Sequence, residues 1–227
     1  MKREPLITVH LLIISVLSIL LATSCKKDDE DSTITDIDGN VYNTVTIGSQ
    51  VWMKENLKTT KFNDGSSIPL VTELTQWIAL NSPGFCWYDN NSGNKTTYGA
   101  LYNWFAVNTD KLCPSGWRVP SDDDWTSLTN LYGGEATASA KLKEAGTTHW
   151  TAPNTGTNES GFTALPGGGR AGSDGAFVEI YTGAHWWSIT EYSASNAYYR
   201  GMLNSNTIVY RNNSDKRSGF SVRCIKN

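Results

Sequence analysis

The chain has 227 residues, a formal net charge of −3 and 18% charged side chains. That length allows one domain with a substantial core, and the charge balance lacks the basic footprint of a nucleic-acid-binding protein. Nine Trp and ten Tyr against three Met, with 20 Gly, describe short aromatic strands and long loops rather than a helical bundle.

The N-terminus opens with Met1-Lys2-Arg3, runs almost wholly apolar from Leu6 to Ala22, and reaches Thr23-Ser24-Cys25. A basic start, an apolar stretch and small residues before a cysteine describe a secretory signal. Leu21-Ala22-Thr23-Ser24-Cys25 resembles a relaxed bacterial lipobox, which implies cleavage before Cys25 and acylation of its thiol. The alternative is an uncleaved anchor, for which the run is marginal because a bilayer span takes about 20 residues. Lipidation anchors a protein without a span. Lys26-Lys27-Asp28-Asp29-Glu30-Asp31-Ser32-Thr33 reads as a solvated tether. It also resembles the acidic export signal of surface lipoproteins in Bacteroidetes-type bacteria, which implies outer-membrane anchoring with exposure on the cell surface rather than in the periplasm. The expected organisation is a signal over 1–24, a lipidated tether over 25–34 and one folded domain over 35–227. With Cys25 acylated, Cys86, Cys113 and Cys224 remain, an odd number in an oxidising compartment, so one disulfide and one free thiol are expected.

Asp36-Ile37-Asp38-Gly39-Asn40 is a turn cluster. Its start resembles a calcium loop, but the later ligand positions and the closing glutamate are missing, so a β-turn is expected. Val41 to Ile47 and Gln50 to Met53, separated by Gly48-Ser49, form a hairpin signal. A short helix is expected around Thr72 to Leu80, and a buried strand at Phe85-Cys86-Trp87-Tyr88. Leu101, Trp104 and Phe105 share a face of a helix expected over Tyr98 to Val107. Ser121 starts a second helix: Pro120 forces Val119 extended, Asp124 completes a capping-box-like pair with Ser121, and Asp122 to Asp124 favour the positive end of the dipole. Trp125, Leu128 and Tyr132 give it a buried face, and Gly133-Gly134 stops it. A third helix is expected over Ala136 to Ala145. Gly167-Gly168-Gly169-Arg170 lacks the close of a phosphate loop and reads as a flexible loop. Short aromatic strands follow at Phe162 to Leu165, Trp186 to Thr190, Ala197 to Arg200, Thr207 to Tyr210 and Gly219 to Ile225. The fold class is α+β.

Five segments resemble, in order, the Fibrobacter succinogenes major paralogous domain: Asp38 to Tyr42, Ile47 to Leu57, Tyr98 to Trp104, Cys113 to Pro120 and Gly219 to Cys224. The resemblance covers everything after the tether and implies no defined reaction. More distantly, Arg118-Val119-Pro120-Ser121-Asp122-Asp123-Asp124-Trp125 and the closing Gly219-Phe220 and Arg223-Cys224 resemble formylglycine-generating-enzyme-like domains. That resemblance implies a C-type-lectin-like fold with two main helices, antiparallel strands and long loops. It also implies a Cys113–Cys224 disulfide, leaving Cys86 as a buried, inert thiol.

The enzymes of that group bind copper through a cysteine pair shortly before the terminal motif. Tyr198 to Arg211, the matching stretch here, contains neither cysteine nor histidine, so a soft-metal redox site cannot be built there. His149 and His185 each sit beside tryptophan and read as packed residues, and Glu179 with Glu191 is a carboxylate pair unsupported by any motif. The E-P-N, Q-P-D and W-N-D motifs of calcium-dependent lectins are absent as well. No catalytic residue, metal or cofactor is therefore expected. The functional expectation is a surface recognition or adhesion module for a glycan or protein, with a structural coat component or a degenerate enzyme as alternatives. Its candidate contacts are His185, Trp186, Trp187, Glu191, Tyr198, Tyr199, Arg200, Asn204, Asn206, Tyr210, Arg211, Asn212 and Asn213. Aromatic faces stack on ligands while Asn and Arg donate hydrogen bonds. Trp186 and Trp187 point to opposite faces of an extended strand, so one of them is expected in the core.

Overall fold

The computed structural model describes residues 1, 2 and 32–227. The signal and lipidation expectations, Cys25 included, lie outside the described residues. Ordered structure begins earlier than the composition implied: Thr33–Thr35 is a strand, β1, paired antiparallel with Val41–Ile47, β2. The Ser32 backbone carbonyl also accepts a bond from Thr44. The domain thus takes in the last residues assigned to the tether. Between these strands Asp36 organises the expected turn, its carboxylate accepting from the backbone of Asp38 and Asn40 and from the Tyr42 hydroxyl.

The molecule is mixed α+β and built mainly of strands. One sheet has the order β1-β2-β3-β12-β6, with β3 at Gln50–Met53, β12 at Ile225–Lys226 and β6 at Trp117–Arg118. A second runs β11-β10-β9-β7-β8, with β7 at Gly167–Arg170, β8 at Phe177–Ile180, β9 at Gly183–Glu191, β10 at Asn196–Leu203 and β11 at Val209–Asp215. All neighbours in it are antiparallel except β7 and β9. A small pair joins β4 (Phe85–Cys86) to β5 (Leu101–Tyr102). The helices are short: α1 Leu74–Ile78, α2 Lys95–Tyr98, α3 Trp104–Val107, α4 Asp122–Asn130 and α5 Ala138–Leu142.

Several expected elements differ from the structure. The helix over Tyr98 to Val107 is divided into α2, β5 and α3. Gly99 takes φ +74°, and a Cβ there would lie 2.7 Å from the Leu57 carbonyl oxygen. Asn103 then caps α3, its side chain accepting from the Ala106 N–H. The apolar periodicity was real, but the glycine and a new cap divide it. Gly167-Gly168-Gly169-Arg170 is no flexible loop: it is the fully buried strand β7. A Cβ at Gly168 would meet the Val178 carbonyl at 2.4 Å, so the glycines allow strands to approach closely. Phe162 to Leu165 forms only an isolated bridge, Ala164 to Lys143.

The closing segment Gly219 to Val222 is the seam of the fold. Gly219 exchanges hydrogen bonds with Arg170, Phe220 with Tyr102, and Ser221 bonds His185 and Trp187 of β9, while Val222 accepts from Leu57. One stretch thereby joins β7, β5, β9 and the loop after β3. On one side of β9 lies a core of Tyr42, Tyr102, Trp104, Trp187, Phe220 and Val222. On the other lies a core of Trp52, Trp125, Trp150, Phe162, Trp186 and Met202. Cys113 and Cys224 are joined by a disulfide that ties the loop before β6 to the start of β12. Cys86 is free and buried, and burial pushes its thiol up to about 12.

Candidate functional site

Side chains on β9, β10 and β11 alternate between two faces. The register sets His185, Gly201 and Tyr210 side by side on one face, with Trp187, Tyr199 and Asn212 next to them. The opposite face carries Trp186, Arg200 and Arg211. The candidates in this stretch therefore divide between two environments.

The face bearing Trp186 is packed against α4. Arg200 is fully buried and donates from Nη1 to Asp122 Oδ1 at 2.5 Å and from Nη2 to Thr126 Oγ1 at 3.0 Å. Arg211 donates to the other Asp122 oxygen at 2.8 Å and lies 4.2 Å from the centre of the Tyr198 ring. Asp122 thus serves as the anchor of two arginines besides lying in the first turn of α4. Trp186 and Trp187 are both fully buried, one in each core. The candidate contacts Trp186, Trp187 and Arg200 are accordingly corrected to core residues. Period-two alternation sends one tryptophan outward only if one sheet face meets solvent, and here both faces are covered at that position.

Other candidates are held by local bonds. Glu191 is exposed and forms an ion pair with Lys216, which also lies over the Trp104 ring. Asn204 donates to the Thr151 carbonyl at 2.9 Å, and Asn206 donates to the Tyr210 hydroxyl at 3.0 Å. Asn213 accepts from the Asn196 side-chain amide.

His185, Tyr199, Tyr210 and Asn212 come together at a groove on the other face. It has two lobes of about 280 Å³ and 180 Å³, divided by a ridge of Glu179, His185 and Tyr199 that lines both. The wall is an aromatic stack: Phe220 lies 4.8 Å from Tyr199 and 5.1 Å from His185, ring centre to ring centre, and Trp187 backs it at 4.6 Å. His185 donates from Nε2 to the Glu179 carboxylate at 2.7 Å. That bond holds the Glu179 carboxyl below its ordinary range despite partial burial. Nδ1 of His185 is buried without a hydrogen-bond partner. Burial, and next the nearby Glu179 charge, raise the Tyr199 phenol above its ordinary value. Glu179 and Tyr181 both adopt positive φ, +62° and +68°, and backbone strain of this kind gathers at binding and switch sites.

Sequence reasoning did not single out Gly201, Phe220 or Ser214 as groove residues, and it considered Glu179 only as half of a carboxylate pair. Glu179 and Glu191 have separate partners, His185 and Lys216. The position of Glu179 beside His185 depends on the β8–β9 turn, which no spacing rule predicts. Among the described residues no group of three or more His, Cys, Asp or Glu is placed to hold a metal ion. No helix among them is long and apolar enough to cross a membrane.

The family model of the Fibrobacter succinogenes major domain matches residues 45–226. The chain belongs to that family. The match runs from within β2 to the last strand and includes the groove, the disulfide and the seam. No curated protein and no solved structure gives a significant match.

Proposed function

We propose that this family member is a surface-anchored, non-catalytic recognition module on a C-type-lectin-like scaffold, binding a glycan or a protein from outside the cell. The scaffold reading is supported by the capped helix after Arg118-Val119-Pro120, by the terminal motif used as a seam and by the Cys113–Cys224 bond. The anchoring reading is supported by the residue pattern ending at Cys25 and by the acidic run after it. The observation that carries the binding role is the aromatic wall of His185, Tyr199 and Phe220 opening on a groove edged by hydroxyl and amide side chains. Concave sites with an apolar wall and a few placed polar groups are where proteins hold ligands. The non-catalytic reading is supported by the lack of cysteine and histidine from Tyr198 to Arg211.

A glycan array combined with pull-down from outer-membrane and extracellular fractions tests the proposal. Saturable binding that weakens about tenfold or more in Tyr199→Ala is expected, as for truncation of an aromatic anchor. Silence in both assays together with self-association favours a structural coat component. Copper uptake with oxidase activity overturns the non-catalytic reading.

A further inference from the structure

We infer that the groove is a two-subsite cleft for a linear, uncharged glycan, the chain crossing the Glu179–His185–Tyr199 ridge so that successive sugar units occupy the two lobes. The inference rests on the recognition role proposed above and names its ligand class.

The first support is geometry. Both lobes share the ridge, and along β11 they extend from Tyr210 and Asn212 to Ser214 and Asp215. At the rise of a strand the distance from Tyr210 to Ser214 is about 14 Å, which is longer than one sugar ring. The smaller lobe exists because Gly201 has no side chain. A Cβ there would stand 3.2 Å from His185 Nδ1 and 3.4 Å from the Tyr199 ring, closing the floor between His185 and Tyr210.

Charge supplies the second support. Every ionisable side chain lining the lobes that carries charge has a partner in place. Glu179 accepts from His185 at 2.7 Å, and Asp215 accepts from the Arg217 guanidinium at 2.8 and 2.6 Å. An acidic ligand would face both carboxylates, and a basic one would have to compete with His185 and Arg217 for them. What remains for recognition is neutral: the exposed Ser173 hydroxyl, the Asn212 amide and the aromatic wall, while the Ser214 and Ser218 hydroxyls bond each other at 2.9 Å. Hydroxyl-rich rings with one apolar face match that set.

The test uses the purified full chain and an array of linear neutral, acidic and amino-sugar glycans, each series running from monosaccharide to hexasaccharide. Wild type is expected to bind neutral series, with the trisaccharide about tenfold or more tighter than the monosaccharide, the gain expected from joining two weak sites. Gly201→Val fills the smaller lobe, and Ser173→Trp, an exposed position, obstructs the larger one. Each variant should remove most of the length-dependent gain. Thermal unfolding of both variants separates loss of the site from loss of fold, and Ser173→Trp carries the test if Gly201→Val does not fold. Preference for charged glycans, or affinity independent of length, overturns this inference and leaves the recognition role standing. Absence of binding across the whole array overturns the glycan class. If a protein ligand is then captured and is lost in Tyr199→Ala, only this inference fails; if nothing binds, the recognition role fails with it.

Discussion

Lys143 is fully buried and its ammonium has oxygen partners of one kind only: neutral ones. It donates to the carbonyls of Leu203, Asn204 and Asn206 at 2.7, 3.1 and 2.9 Å and to Thr155 Oγ1 at 2.9 Å, beneath the Trp150 ring. These bonds tie the segment after α5 to the β10–β11 turn, whose Asn206 in turn holds the Tyr210 hydroxyl at the groove. Removing the ammonium in Lys143→Met strands three carbonyls and should cost roughly 3 kcal/mol in chemical denaturation. Burial lowers the Lys143 pKa from 10.5 to about 8. Between those values the unfolded chain binds more protons than the folded one, so this group makes stability rise with pH from about 8 to 10.5. Stability measured across that window in wild type and in Lys143→Met should show the more positive slope in wild type. Residue by residue, the groove was partly legible: His185, Tyr199, Tyr210 and Asn212 were candidates, and they line it. Trp186, Trp187 and Arg200 were candidates for the same reasons of chemistry and lie in the core. Residue type does not report whether a sheet face is covered.

Helix α4 shows how far local rules reach. Ser121 accepts from the Asp124 N–H at 3.1 Å and Asp124 accepts from the Ser121 N–H at 2.7 Å, completing the capping box read from the chain. Arg118 closes the same carboxylate from the preceding strand, with one bond of 2.9 Å and a shorter one of 2.5 Å. Burial alone would raise the Asp124 pKa, but the Arg118 and Ser121 bonds outweigh it and hold the pKa below the ordinary value. Because the folded-state pKa is the lower one, the carboxylate's contribution is complete above the usual carboxylate range and disappears as pH falls through the lowered value. Asp124→Ala should therefore destabilise by about 1 kcal/mol at neutral pH, and the gap to wild type should narrow under acid conditions in parallel urea titrations. The α2–β5–α3 stretch shows the limit of such rules. Its helical periodicity is interrupted by contact of Gly99 with Leu57, fixed from more than 40 residues away. Gly99→Ala should cost about 2 kcal/mol or more by thermal melting, since the new methyl meets a backbone carbonyl and φ is left-handed; a change under about 0.5 kcal/mol would show that the backbone there relaxes freely.

At the scale of the molecule, the two large sheets and the cores on either side of β9 are held together by the C-terminal seam and by one disulfide across 111 residues. By the loop-entropy model such a closure stabilises on the order of 4 kcal/mol. The Cys113→Ala, Cys224→Ala double variant should melt about 10 °C lower than wild type, and non-reducing peptide mapping should return the Cys113–Cys224 peptide alone. Cys86, buried between strands, should resist alkylation until the chain unfolds. Family membership, the α+β class, the hairpin, the α4 cap and the disulfide implied by resemblance were all readable from the chain, because each depends on neighbours in sequence or on motifs kept in order. The conversion of the triple glycine into a buried strand, the splitting of a helix, and the assembly of Glu179, His185, Tyr199, Phe220 and Gly201 into one groove were decided only by tertiary structure. Each needs two chain segments far apart in sequence to pack within a few ångströms, and hydrophobic period, capping and turn chemistry carry no information about distance across a folded core.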